Sequence, residues 1–232
     1  MSHKPASKIL WQERDNGAYL AQQRALILPT YPDLEFKVIP EEQVALEGLI
    51  RLQAECGTQR ALAVRIEFPK DYPQCEPYAF DPSHQFPHIA DRHFYPDGRC
   101  CLWLPPESSW NGQDPEALLS FLHQVAIFFD KQLIYDVVRR WPGKQRSHGA
   151  QGYREWICEV LDIEERQLLR FAPLLLGWAK YGDTVPCPCG KNCKFRRCHR
   201  DQALTITSQV DVQTLRNALG QEVAYFRQRI AK

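Results

Sequence analysis

No uninterrupted run of strongly apolar residues in this 232-residue chain reaches the length expected of a membrane span. The longest strongly apolar stretch, Leu118 to Phe129, is broken by Ser120, His123 and Gln124. It falls well short of the ~20 residues a span needs. The opening Met-Ser-His-Lys-Pro-Ala has no apolar core of the kind an export signal carries. An excess of charge is missing too. Lys and Arg number 29 against 28 Asp and Glu, for a net charge of +1, so no global field draws in nucleic acid or an anionic membrane. There is no Gly-x-Gly-x-x-Gly, no phosphate-cradling Gly-x-x-x-x-Gly-Lys-Ser/Thr, no internal repeat and no low-complexity tract. Neither kind of nucleotide-binding loop is therefore expected. Apolar residues at 44% and charged residues at 25% exclude collagen-like, mucin-like and wholly disordered chains. What remains is a cytoplasmic protein of one generous domain, or one domain and a small module.

Cysteine is what the chain does have. Nine is an odd number, and with no export signal it argues against a secreted disulfide framework. Cys56, Cys75 and Cys158 stand alone and Cys100 and Cys101 are adjacent. Cys187, Cys189, Cys193 and Cys198 crowd into twelve residues. Such grouping points to thiol chemistry or metal.

Periodicity predicts a helix from Ser7 to Leu28, with Ile9, Leu10, Tyr19, Leu20 and Leu26 on one face, stopped by Pro29 and Pro32. Glu35 to Ile39, Val44 to Gln53, Leu62 to Phe68 and the short Tyr78 to Phe80 read as strands. Asp81 to Asn111 is a loop of about thirty residues, and loops this long are usually functional or disordered. Three histidines, two cysteines and two tryptophans in it favour function. Asp114 and Pro115 start a helix whose core stripe runs Leu118, Phe121, Leu122, Val125, Phe128, Phe129, Leu133 and Val137, ending near Trp141. Gly143 to Gly152 is polar and reads as a boundary. Helices over Tyr153 to Leu161 and Glu164 to Lys180 follow, held by Trp156, Phe171 and Trp178. A strand-like Ala203 to Ser208 and a helix from about Val212 close the chain.

In the run from Asp97 to Leu104, alternation puts Cys100, Leu102 and Leu104 on one face and Arg99, Cys101 and Trp103 on the other. With the first face buried, Cys101 stands beside a cation that favours its thiolate. Taken alone, Cys101 reads rather as a small buried hydrophobe.

The segment Phe68-Pro-Lys-Asp-Tyr-Pro-Gln-Cys-Glu-Pro-Tyr-Ala-Phe80, then Tyr95-Pro-Asp-Gly-Arg-Cys-Cys-Leu102, then Trp110 nine residues after Cys101, resembles the ubiquitin-conjugating enzyme family. The likeness covers roughly residues 1–145. It implies an α+β fold, with a leading helix, a four-stranded antiparallel meander, a long catalytic loop and a central helix. It makes Cys101 the nucleophile and gives Cys100 the family's buried hydrophobic position. The family's His-Pro-Asn triplet reads Asp91-Arg-His93 here. The Asn position, which orders the loop and steadies the oxyanion, is thus His93. A histidine can donate the same hydrogen bond or act as a base, or it can simply hold the loop together. His88, after Pro87, is an alternative remnant of the triplet, while His84 and His123 read as structural or solvated. The loop is about four residues longer than in common members.

Cys187-Pro-Cys189-Gly190, followed after eight residues by Cys198-His199, has the two anchored ligand pairs of a tetrahedral zinc site. It resembles the zinc motif of the SecA C-terminal type over residues 186–200. The resemblance implies a structural Zn²⁺ on Cys187, Cys189, Cys198 and His199, with Cys193 a spare thiol or a competitor. Lys191, Lys194, Arg196, Arg197 and Arg200 crowd the same stretch with no acid between them. They read as a solvated knuckle offsetting the thiolates, or else as a contact for an acidic partner or nucleic acid, the last disfavoured by the near-zero net charge.

The expected organisation is a catalytic domain over residues 1–145 and a helical region over 150–232 carrying the zinc motif. This combination resembles stand-alone bacterial conjugating-enzyme-like proteins of CBASS anti-phage operons. There the implied partner is a cyclic-GMP-AMP-synthase-like nucleotidyltransferase whose C-terminus is esterified, with a separate activating enzyme. A catalytically inactive binding module or zinc-dependent adaptor is the competing expectation. No membrane and no nucleic acid is expected.

Overall fold

The computed structural model describes residues 11–39, 43–53, 59–143, 146–177 and 184–220. The expectations for Ile9, Leu10, Cys56 and Trp178 fall outside these. Two compact units divide the chain, one of residues 1–103 and 107–144, the other of 104–106 and 145–232.

In the first unit a 3₁₀ turn, Trp11–Gly17, leads into helix α1, Ala18–Ile27. Gly17, at φ +82, makes the junction between the two. The four strands β1 (Leu34–Ile39), β2 (Gln43–Gln53), β3 (Gln59–Glu67) and β4 (Tyr78–Phe80) pair antiparallel in chain order. The meander is therefore as the sequence predicts. Alternation explains it on β3, where Leu62, Val64 and Ile66 are buried and their neighbours are not.

Helix α2, Ala117–Val138, supplies Leu118, Phe121, Leu122, Val125, Phe128, Phe129 and Gln132 to the same core as Leu46, Ile50, Ile66 and Tyr72. Its 22 residues are long and apolar enough, by length and composition, to cross a bilayer, but this face is already occupied by the core. The predicted stripe ends early: Val137 is 81% exposed. The cap also differs. Asp114 closes a turn by accepting from the Glu116 and Ala117 N–H groups, and the helix proper begins at Ala117. It stops at Val138 because Arg139 turns left-handed, donating its N–H to the Tyr135 carbonyl.

The second unit holds α3 (Gly149–Leu161), α4 (Glu165–Leu175), α5 (Arg200–Gln209) and α6 (Val212–Ala218). Glu164 and Gln167 form a capping box at the start of α4, and Asp211 caps α6. Trp156 and Phe171 are buried in this unit's core. Ala203 to Ser208 is helical rather than extended. Ala203, Ile206 and Val210 bury at helical spacing, and Thr205 and Thr207 turn their hydroxyls back onto the carbonyls of Asp201 and Ala203.

Candidate functional site

The long loop lies against β4 through short bridges. Phe80 pairs with Arg99 and Phe94 pairs with Cys100, closing the Pro96-Asp97-Gly98 turn. Gly98 is required there. Its φ is +86, and a Cβ would meet His88 Cε1 at 2.7 Å. His88 in turn bonds Asp81 at 3.2 Å. Asp81 is buried and also accepts from Gln85 Nε2 (3.0 Å) and the Phe86 N–H (3.1 Å). Burial pushes its carboxyl up, but these hydrogen bonds outweigh it and hold the group below its ordinary value. His88 is thus an anchor of the loop. His84 stacks on it at 4.2 Å, and His123 is exposed beside Tyr31.

Cys100 is buried, as alternation predicts, and burial pushes its thiol far up. Cys101 is half-buried rather than open. Burial raises its thiol, while a hydrogen bond from the Tyr95 hydroxyl and the charge of Arg99 pull the other way without cancelling it. Arg99 lies between Tyr95 (4.2 Å) and Tyr78 (5.3 Å). Trp103 leaves the face it was expected to share with Cys101. Its Nε1 donates to Glu76, and its ring packs edge-on against Phe121. The extended run ends at the Cys100 bridge, so the alternation ends there too.

His93 follows a 3₁₀ turn, Ala90–Arg92, and adopts φ +56. Its carbonyl accepts the Cys101 N–H at 2.7 Å, and its ring packs on Trp141 at 4.3 Å. A ring nitrogen lies within 4.8 Å of Cys101 Sγ. The two residues from the altered motif are therefore brought together, within reach of proton transfer through one water.

In the second unit, Pro186 bridges Lys194 and the Cys187 N–H donates to the Cys193 carbonyl, forming a small knuckle. Gly190 turns it at φ +83. The sulfurs of Cys187, Cys189, Cys193 and Cys198 all lie within 4.8 Å of one another, a cluster that can hold a metal ion. The Cys189–Cys198 separation of 3.7 Å fits the edge of a tetrahedron with metal–sulfur bonds of about 2.3 Å. His199 is buried against Phe171, with Nδ1 3.2 Å from Cys187 Sγ and 3.1 Å from Cys198 Sγ. Five donors therefore meet where four were expected, because Cys193 folds into the cluster. No disulfide occurs among the described cysteines.

Tyr95 is a residue the sequence reading missed, while Cys193, expected as a spare or competing thiol, joins the cluster. Pairing 94 with 100 about the turn brings residue 95 near residue 101. The Pro96-Asp97-Gly98 turn is the sequence signal that could have found Tyr95.

No protein-family model matches the chain, and no curated protein does. Among solved structures, the yeast vps23 UEV domain in complex with a vps27 PSDP peptide is similar to it over 60% of this chain and 91% of that one. The identity is 11% and the TM-score 0.38, too distant to bear on function.

Proposed function

We propose that the chain is a cysteine-dependent acyl carrier of the ubiquitin-conjugating type, in which Cys101 holds the C-terminal carbonyl of a partner protein as a thioester. The observation that carries this reading is the thiol of Cys101 within 4.8 Å of the His93 imidazole. His93 takes the thiol proton, and the sulfur attacks an acyl carbon already activated elsewhere. The leaving group departs with its bonding pair and recovers the proton from the imidazolium. An amine or thiol then attacks the thioester, giving up its proton to the neutral His93 imidazole, and the C–S bond breaks as the sulfur leaves as thiolate. Tyr95 and Arg99 favour that thiolate at both ends of the cycle. With no phosphate-cradling loop in the sequence, activation falls to a separate activating enzyme. The partner we propose is a cyclic-GMP-AMP-synthase-like nucleotidyltransferase of an anti-phage operon in the cytoplasm. In the second unit a structural zinc is held by Cys187, Cys189, Cys198 and His199, with Cys193 as the competing fourth ligand.

The test is capture with Cys101→Ser, followed by mass spectrometry of what is attached. The serine variant should accumulate an oxyester more durable than the native thioester, because an alkoxide is the poorer leaving group. Cys101→Ala should carry nothing, and Cys100→Ala should still carry a reductant-sensitive adduct. Loss of the adduct in Cys100→Ala but not Cys101→Ala would move the nucleophile by one residue. No adduct in any form would leave a binding module, the reading that the half-burial of Cys101 favours.

A further inference from the structure

Arg92 is buried to 4% exposure in a loop, where a guanidinium costs several kcal/mol unless every contact is good. Here the contacts are good. Nε donates to Gln132 Oε1 at 3.0 Å and Nη2 to the Gln132 carbonyl at 3.0 Å. Nη2 also meets Asp136 at 2.7 Å. Gln132, itself fully buried, returns a bond from Nε2 to the Arg92 carbonyl at 2.7 Å. The guanidinium lies over Phe86 at 5.1 Å and Tyr135 at 4.9 Å. Both the side chain and the backbone oxygen of Arg92 are thus fixed to one turn of α2.

The Arg92 carbonyl belongs to the peptide plane that carries the His93 N–H. That N–H donates to Ala90 O at 2.8 Å, so the plane is held from both of its polar atoms. Holding it fixes the approach to the left-handed φ of His93, a conformation a non-glycine residue keeps only when its surroundings impose it. The next carbonyl, that of His93, receives the Cys101 N–H. An unbroken path of fixed peptide planes therefore runs from α2 through Arg92 and His93 to the Cys101 backbone.

We propose that Arg92 is a positioning residue: locked to Gln132, it holds the His93 ring within 4.8 Å of the Cys101 sulfur. The proposal rests on the reading in which His93 acts on Cys101.

The experiment is a double-mutant cycle in the full chain, in a Cys100→Ala background so that the tryptic peptide carries one thiol. Alkylation of Cys101 by iodoacetamide at fixed neutral pH is followed by mass spectrometry, with exposed Cys75 as the internal reference. Arg92→Met and His93→Gln should each slow alkylation of Cys101 by about a hundredfold, the low end for loss of an acid–base group. The double variant should be no slower than either single one, because both remove the same imidazole. Cys75 should react at an unchanged rate. Effects that multiply, or an Arg92→Met rate equal to the parent's, would overturn the proposal. An unchanged rate for His93→Gln would instead overturn the reading beneath it. If Arg92→Met does not fold, Gln132→Met removes the reciprocal side-chain bonds at similar volume. The same non-additivity with His93→Gln is expected, and additivity there would overturn the proposal equally. The alkylation needs no partner, so a failed capture with Cys101→Ser remains a separate result.

Discussion

Replacing Asp81 by alanine should loosen the whole approach to Cys101, and the size of the effect follows from its contacts. The carboxylate accepts well-formed bonds from Gln85 Nε2 and the Phe86 N–H and a longer one from His88 Nε2. The Ser83 N–H at 3.4 Å adds little. Hydrogen bonds to a charged group are worth about 1.5–3 kcal/mol each. Gln85 keeps its two bonds to the Ala63 backbone when Asp81 is lost, which limits the damage at that donor. Two bonds at full value give about 3–6 kcal/mol for the first unit at pH 7, a large part of the ~5–15 kcal/mol that holds a domain. Because the chain has two units, a single two-state transition is not assured. Hydrogen exchange of β3 and β4 amides in rising urea is therefore the better assay.

The pH dependence has a definite sign. The folded carboxyl titrates below its ordinary value, so its stabilisation is complete above the unfolded pKa of about 3.9. It is lost as pH falls through the lower folded value. The gap between parent and Asp81→Ala should be constant from pH 7 to about 5 and close in stronger acid. A gap that stays unchanged down to pH 3 would mean that the charge of Asp81 is irrelevant. No gap at pH 7 would refute the whole account. The consequence reaches the thiol, because the Asp81 N–H donates to Gly98 O and the Cys100 N–H to Ala79 O.

Other outcomes are as specific. Phe129, fully buried and packed on Phe86 and Phe128, should cost the first unit about 3–5 kcal/mol on truncation to alanine, read as a fall in that unit's urea midpoint. Protein purified without chelator should carry one equivalent of zinc by elemental analysis. Cys198→Ser should lose the metal, and Cys193→Ser should keep it. Retention in Cys198→Ser with loss in Cys193→Ser would exchange the roles of the two thiols. Chelation should raise exchange in α5, whose N-cap is His199, while leaving β3 protected.

Much of the fold was legible because local pattern and tertiary burial agree. β3 shows period-two burial and α2 carries its stripe as far as Gln132. Where they disagree, contacts distant in sequence decide. Ala203-Leu-Thr-Ile-Thr-Ser208 alternates like a strand, yet it follows directly on the cysteine knuckle and its 3₁₀ turn, and it can bury Ala203, Ile206 and Val210 together only as a helix. Val137 continues the α2 periodicity but has no core left to enter.

The candidate site divides in the same way. Which cysteine turns inward could be read from alternation, since the bridge to Phe94 keeps Cys100 in register. The openness of Cys101 could not, because Trp103 is drawn away to Glu76, 27 residues earlier in the chain. Nor could the sequence say what orders residues 90–93. That depends on a guanidinium meeting an amide forty residues on, and neither side chain carries a pattern that announces the other. The altered triplet at Asp91-Arg-His93 looked like the loss of an ordering residue. Beside Gln132, the residue next to the histidine ties the loop down, and a ring nitrogen of His93 lies within 4.8 Å of the Cys101 sulfur.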